Sequence, residues 1–417
     1  MKILMINRTL YSRSAAETAM FCLAGALERM GHEVTYFAQD HPRNENIPNA
    51  YVITRPDPST MSRWERNHRL IYDEDVADCL MERISHDSPS LVIAWQINRS
   101  LTYATIKALD EAYIPVWVML TDFTALCPAR TMVCDHSRGL LDKLRTHPKG
   151  QTACDKCANG NFLPCMLHRC YKGKLGPSIL AARENIHLRR NKLYDYACGF
   201  LAPSEYHRQR FRQAQFTSKP ILSVGFPLPP SVFVPAEINR GSFFLFVGTV
   251  ARRKGVHTLL QALTHCVNDC RLVIAGDGPF RQDAENLAHE LGVTKRVTFV
   301  GTLQSKSLRQ SMADCLAIVD PSECETVAPL SLLQAQAIGK PAVVSDYGVL
   351  PERVTDGKTG CVFIHGNAVS LAQKLDEIAF MSDADYTAMC AAAADHALTE
   401  HASDVYAQRV LEATGLL

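Results

Sequence analysis

The stretch GTVARRKG (248–255) places a glycine, two arginines and a lysine on a turn between a strand-like run and an apolar helix. Cations at a helix start oppose the macrodipole, so three of them there are better explained by an anionic ligand than by capping. Gly248, Arg252, Arg253 and Lys254 therefore form a candidate phosphate site, with plain surface charge as the alternative. A second glycine-rich turn, AGDGPFR (275–281), adds Gly276 and is a weak signal alone.

ECETVAPLSLLQAQAIGKP (323–341) raises a second question. Glu323 and Glu325 precede a segment in which Leu330, Leu333 and Ala337 recur at helical spacing. Pro329 suits its first turn and Gly339 its end. Carboxylates before a helix favour its dipole, which is the simple reading. In an α/β protein such a loop is also where ligands bind.

A third constellation is made of cysteines. Cys127, Cys134, Cys154, Cys157, Cys165 and Cys170 fall within one short region, and the last four read Cys-x2-Cys followed by Cys-x4-Cys. That is close to structural-zinc spacing, and the turn-rich residues between them have little core of their own. Cys154, Cys157, Cys165 and Cys170 are the candidate zinc ligands, with His168 able to replace one thiolate. An iron–sulfur cluster and free thiols are the alternatives.

These residues need elements to hold them. Lys2–Asn7, GHEVTYFA, LVIAWQ and VWVML read as strands in the first half; FFLFVGTV, RLVIAG, RVTFVG, CLAIVD and PAVVSD read so in the second. Helical segments alternate with them, which predicts parallel sheets covered on both faces. A proline-rich GFPLPPSVFVP (225–235) separates the halves and reads as a hinge. The expected domains are 1–222, with a Cys-rich basic insertion at about 127–175 and a C-terminal helix (400–417) packing back on it, and 236–395.

Bulk properties narrow the class. The chain has 417 residues, 47% apolar, 21% charged and a net charge of +1. Two domains are the natural expectation for that length. No run approaches the roughly 20 apolar residues that cross a bilayer, and MKILMIN lacks the form of a signal peptide. A cytoplasmic setting follows, in which 15 cysteines are thiols or metal ligands. Residues 138–192 carry 12 Lys/Arg against 3 Asp/Glu. An anionic membrane surface, a polyanion or a phosphorylated lipid suits that segment, as does a merely solvated basic face. No nucleic-acid-binding module accompanies it.

The order of motifs resembles the retaining nucleotide-sugar glycosyltransferases of the GT-B fold, the large family 4 of bacterial polysaccharide mannosyl- and glucosyltransferases. MGHEV, LAPSEYHRQRF, FLFVGTVARRKGVHTLLQAL, LVIAGDGP, RVTFVGTL, PSECETVAPLSLLQAQAIGKPAVVSD and GVLPERVTDGKTG carry the resemblance along nearly the whole chain. It implies two Rossmann-like domains facing across a cleft, with a UDP- or GDP-linked sugar as donor and a glycan or lipid-linked molecule as acceptor. No catalytic metal is implied. By the same resemblance a first Glu binds the transferred sugar and a second the ribose. Gln334 takes the second place, and Glu325 takes the first if the loop holds one extra residue; otherwise Thr326 does.

Further departures are Ala15-Ala16 for paired glycines, Thr121-Asp122 for His-Asp, and Thr249 for an arginine. Glu325, Lys254, Arg252 and Asp122 are the catalytic candidates. Gly248, Arg253, Gly276, Thr326, Gln334 and Glu17 are the donor-side ones, and Asp122 and Glu17 also suit an acceptor. The departures leave a second class in view, a nucleotide- or glycan-binding scaffold. Peripheral attachment to the inner face of a membrane is the expected location beside the cytoplasm itself.

Overall fold

The structure, a computed structural model, describes residues 1–12, 14–54, 61–135, 151–233 and 240–416. The 138–150 part of the basic segment, the Cys134 side chain and residues 234–235 of the proline-rich linker lie outside the described residues. The chain forms two compact units, Met1–His147 with Cys154–Pro227 and Ser403–Leu417, and Pro148–Ala153 with Leu228–Ala402.

In the first unit, β1 (Lys2–Asn7), β2 (Glu33–Gln39), β3 (Ala50–Ile53), β4 (Leu91–Ala94), β5 (Val116–Met119), β6 (Gly199–Ala202) and β7 (Ile221–Ser223) form one sheet. Their order is β3-β2-β1-β4-β5-β6-β7 and every pair is parallel. All four residues of β4, β5 and β6 are buried. Such unbroken apolar runs arise because helices cover both faces of the sheet. Helix Ala15–Arg29 turns Ala16, Ala19, Met20, Leu23 and Leu27 inward, a helical repeat that seats it on the sheet. The C-terminal helix Ser403–Thr414 belongs to this unit. Arg29 pairs with Asp404 and donates to Ser403 Oγ at 2.9 Å, and the buried Tyr406 hydroxyl donates to Met119 Sδ at 3.7 Å.

The second unit contains β8 (Phe243–Val247), β9 (Arg271–Ala275), β10 (Val297–Gly301), β11 (Ala317–Asp320), β12 (Ala342–Ser345) and β13 (Gly360–Phe363). The order β10-β9-β8-β11-β12-β13 is again all parallel. Successive side chains of a strand face opposite ways. Phe244 and Phe246 accordingly join one core cluster and Leu245 the other. Burying each such side chain contributes about 1.5–3 kcal/mol. The α/β class with two doubly wound parallel sheets is thus observed. Each sheet reverses its winding once, between β1 and β4 and between β8 and β11, and such switch points are where ligands bind in α/β sheets. Among the described residues no helix is long and apolar enough to cross a membrane.

Candidate active site

The second unit's switch point lies between the loops that follow β8 and β11. Glycines end three adjoining strands here. The Gly248 N–H donates to Ala275 O at 3.0 Å and the Gly276 N–H to Gly301 O at 2.7 Å. A Cβ on Gly276 would sit 1.8 Å from Gly248 O, so no other residue fits. Val250 N–H then donates to Asp277 O, and Phe280 N–H to Val250 O, both at 3.0 Å. The loops carrying Gly248 and Gly276 are stitched into one platform.

Arg252–Lys254 forms a 3-10 turn closed by Gly255 at φ +68°. A Cβ on Gly255 would lie 1.9 Å from Pro321 O, so the glycine lets the cationic turn press on the loop after β11. Lys254 Nζ donates to Ser322 Oγ at 3.1 Å and to Thr326 Oγ1 at 3.2 Å. Arg252 is exposed and Arg253 half-buried. Thr249 is exposed and neutral.

The two glutamates of the loop have different surroundings. Glu323 is engaged locally: its N–H donates to Arg253 O at 2.9 Å, Thr258 Oγ1 donates to its Oε1 at 2.7 Å, and His257 Nε2 lies 3.6 Å away. Glu325 is half-buried, with Oε2 against Gly348, where a Cβ would stand 3.4 Å from it. The helix begins at Leu330, five residues on, with Pro329 at its cap. Lys254, Thr326 and Ser322 are brought together, with Glu325 on the same loop. Gln334 lines a pocket of about 360 Å³ with Ser231, Val232, Ser305, Arg309 and Met312. Lys254 and Glu325 do not line that pocket.

Ser322, His257, Thr258 and Arg309 are contributors that the sequence reading did not single out. The available signal for two of them was a His-Thr pair in the first turn of a largely apolar helix, Val256–Leu263.

In the first unit, Asp122 Oδ1 accepts from Thr124 N–H at 2.8 Å and from the Thr124 hydroxyl, while Oδ2 lies 3.5 Å from Arg130 Nη1. Asp122 and Thr121 line a space of about 30 Å³ together with Trp95, Gln96, Asn98 and Tyr194. Glu17 is fully buried and closes a capping box, accepting from Ser14 N–H at 2.9 Å and from the Ser14 hydroxyl. Ala15-Ala16 opens that helix.

Cys165 is 1% exposed and packs with Phe162, Ala182 and Cys157, its thiol directed at Ser178 O over 4.0 Å. Cys154 and Cys170 are half-buried, and His168 Nε2 lies 3.4 Å from Lys156 Nζ. The basic segment is not all surface. Arg189 donates to Ala125 O at 2.9 Å and to Ala158 O at 3.2 Å. Lys156, Lys172, Lys174, Arg183 and Arg190 are exposed.

Residues 232–396 match the model of the glycosyl transferases group 1 family. The chain is 35% identical over 130 residues to the GDP-mannose-dependent alpha-(1-6)-phosphatidylinositol monomannoside mannosyltransferase of Mycobacterium tuberculosis, covering 28% of this chain and 32% of that protein. It is 34% identical over 121 residues to the alpha-D-kanosaminyltransferase of Streptomyces kanamyceticus, covering 28% and 31%. The matches thus span about a third of the curated relatives' length. Among solved structures, Anabaena HepE in complex with UDP-glucose superposes with a TM-score of 0.63 at 16% identity, covering all of both chains. The fold is therefore GT-B, and the second unit carries a group 1 glycosyltransferase domain.

Proposed function

We propose that this chain, whose second unit carries that domain, is a glycosyltransferase that moves a sugar from a nucleotide-linked donor to a glycan or lipid-linked acceptor with retention of configuration. The observation that carries the reading is Lys254, held at the switch point by Ser322 and Thr326 of the loop that also carries Glu325. Donors of the relatives support a UDP- or GDP-linked sugar: one relative is GDP-mannose-dependent and HepE holds UDP-glucose.

In this reading the donor diphosphate lies against Lys254, Arg252 and Arg253, with the Gly248 and Gly276 platform giving its backbone close approach. The bond from the anomeric carbon to the phosphate oxygen breaks, and its electron pair leaves with the diphosphate. Positive charge grows on the sugar ring and negative charge on the leaving group. Fixed cations stabilise that charge as it develops, without reorganisation at the moment of reaction. Glu325, or Thr326 beside it, orients the sugar hydroxyls, and Gln334 offers a neutral amide to the ribose. The acceptor oxygen then bonds to the anomeric carbon on the face being vacated. Bonding on that face gives retention, and the acceptor's proton passes to the departing phosphate. Lysine and arginine supply the neutralisation, so the step needs no divalent cation. Asp122 is the acceptor-side carboxylate of the first unit.

A membrane-borne acceptor, met at the inner face of a membrane, is the reading that the basic insertion supports. Leu163, Leu167 and Leu175 are exposed in that insertion, as are Lys172 and Lys174. Apolar side chains with flanking cations are a combination that binds anionic lipid surfaces. The deciding experiment is thermal-shift screening against UDP-, GDP-, ADP- and CMP-sugars, followed by NMR of the product's anomeric centre. Stabilisation by one nucleotide family and a retained anomer is expected. No shift with any nucleotide sugar would overturn the reading.

A further inference from the structure

The second unit holds a cluster that none of this chemistry uses. Cys266, Cys270 and Asp376 bring two thiol sulfurs and a carboxylate oxygen within 4.8 Å of one another. Cys266 follows helix Val256–Leu263, Cys270 precedes β9, and Asp376 lies on helix Ala368–Ala379. Cys270 is buried, whereas Cys266 and Asp376 are half-buried, so the cluster is reachable from solvent.

The donors are held in place by backbone contacts. The Val267 N–H donates to Asp376 Oδ2 at 2.8 Å and the Asn268 N–H to Oδ1 at 3.1 Å. Each carboxylate oxygen keeps a second lone pair. The neighbouring cation, Arg296, is occupied: Nε donates to Cys270 O at 3.0 Å, Nη1 to Leu263 O at 2.7 Å and Nη2 to Asn268 O at 3.0 Å, and Asp269 lies 3.2 Å from it. Cys266 donates its S–H to Ala262 O at 3.4 Å.

We propose that Cys266, Cys270 and Asp376 bind a thiophilic divalent cation, zinc foremost, with water as the fourth ligand. Two thiolates, one carboxylate and a water are a four-coordinate set that suits zinc. Binding forms two sulfur–zinc bonds and one oxygen–zinc bond and releases two thiol protons to solvent; nothing is oxidised. The ion ties helix Val256–Leu263, β9 and helix Ala368–Ala379 together. The first of these carries His257 and Thr258 at its other end, so the ion braces the scaffold behind the donor loop and takes no part in sugar transfer.

The full chain, stripped of metal by a chelator under reducing conditions, is titrated with zinc. Alkylation by N-ethylmaleimide is then read peptide by peptide by mass spectrometry, which separates this pair from the other cysteines. Zinc is expected to slow labelling of Cys266 and Cys270 together by at least about tenfold, and Asp376→Asn, which removes the anionic ligand, to abolish that protection at the same zinc concentration. Equal labelling with and without zinc overturns the site. So does protection that survives in Asp376→Asn at the same zinc concentration. A mapped Cys266–Cys270 disulfide after air exposure, without zinc protection, would make the pair a redox couple instead. The wild-type titration stands alone if the variant folds poorly.

Discussion

Lys254 donates to Thr326 across 3.2 Å, joining two loops whose residues lie 72 positions apart. Its other hydrogen-bond partner among the described residues is also a neutral hydroxyl, that of Ser322. Hydroxyls orient the ammonium without cancelling its charge. The charge is thereby left for a ligand, a geometry that surface solvation alone does not require.

Lys254→Ala should therefore weaken nucleotide binding by about 1.5–3 kcal/mol, the range for hydrogen bonds to a charged group. Calorimetric titration with the nucleotide found in the screen measures it. Unchanged affinity together with unchanged turnover would remove the phosphate assignment.

The two glutamates separate a chemical role from a structural one. Glu325→Gln should lower turnover by at least about tenfold, or about 1.4 kcal/mol of transition-state stabilisation, at a near-native melting temperature. Glu323→Gln weakens the contacts of Thr258 and His257 and should cost about 0.5–1.5 kcal/mol of stability. Loss of turnover at Glu323 with none at Glu325 would reverse the assignment.

Much of the scaffold was legible because parallel strands buried on both faces read as unbroken apolar runs, and CLAIVD or LVIAWQ has few other readings. Gly248 and Gly276 were legible as punctuation, but the sequence does not say what they or Gly255 avoid. That needs the carbonyls of Gly248 and Pro321 in place. Glu17 shows the opposite limit. Its residue type suggested a ligand, whereas Ser14 three residues earlier marks a capping box. Arg189, in a segment read as a basic surface, is drawn inward to carbonyls of Ala125 and Ala158, 64 and 31 positions away. Asp376 could not be joined to Cys266 and Cys270 from sequence, because only the packing of helix Ala368–Ala379 brings it there.

His257 gives a pH dependence. Burial holds its pKa below the ordinary 6.5, against the opposing pull of Glu323. Above pH 6.5 the ring is neutral folded and unfolded, and the fold suffers no penalty. As pH falls through 6.5 the unfolded chain takes the proton first, so stability drops until the folded-state pKa is passed. His32, His187 and His396 are lowered by burial too and act in the same direction. The test is thus a difference: denaturant melts of wild type and His257→Asn between pH 7.5 and about 5 should converge on acidification. Parallel curves would show that His257 does not titrate with folding.

The insertion should hold vesicles containing anionic lipid in preference to neutral ones. Its attraction should fade as salt rises, since the screening length shrinks from about 10 Å at 0.1 M to about 3 Å at 1 M. Leu167→Ser with Leu175→Ser, both at exposed positions, should weaken sedimentation with vesicles while leaving donor binding unchanged. Equal sedimentation with neutral and anionic vesicles would remove the membrane partner.

The last prediction concerns the insertion's cysteines. Cys154, Cys157, Cys165 and Cys170 are proposed to hold one structural zinc, and the surroundings of Cys165 make its role the one to test. Its thiol packs with Phe162 and Ala182 toward Ser178 O, as a core cysteine does, whereas Cys154 and Cys170 are half-buried. The local helix Leu163–Leu167 has five residues, too few to be stable alone, so a cross-link at its ends would order it. Elemental analysis after purification should find zinc. Peptide-resolved alkylation then assigns that zinc to this region or to Cys266 and Cys270. Cys154→Ser should release insertion-bound zinc and lower the melting temperature. Cys165→Ala leaves zinc bound if His168, whose Nε2 lies 3.4 Å from Lys156 Nζ, exchanges that contact for the metal and supplies the fourth ligand. A closed four-ligand site has no open position, so donor affinity measured on the zinc-free protein should be unchanged. Iron with visible absorbance would replace zinc by a cluster. Purified protein with neither metal, and with Cys154, Cys157, Cys165 and Cys170 alkylated equally in the presence and absence of zinc, would leave the insertion ordered by its apolar contacts alone.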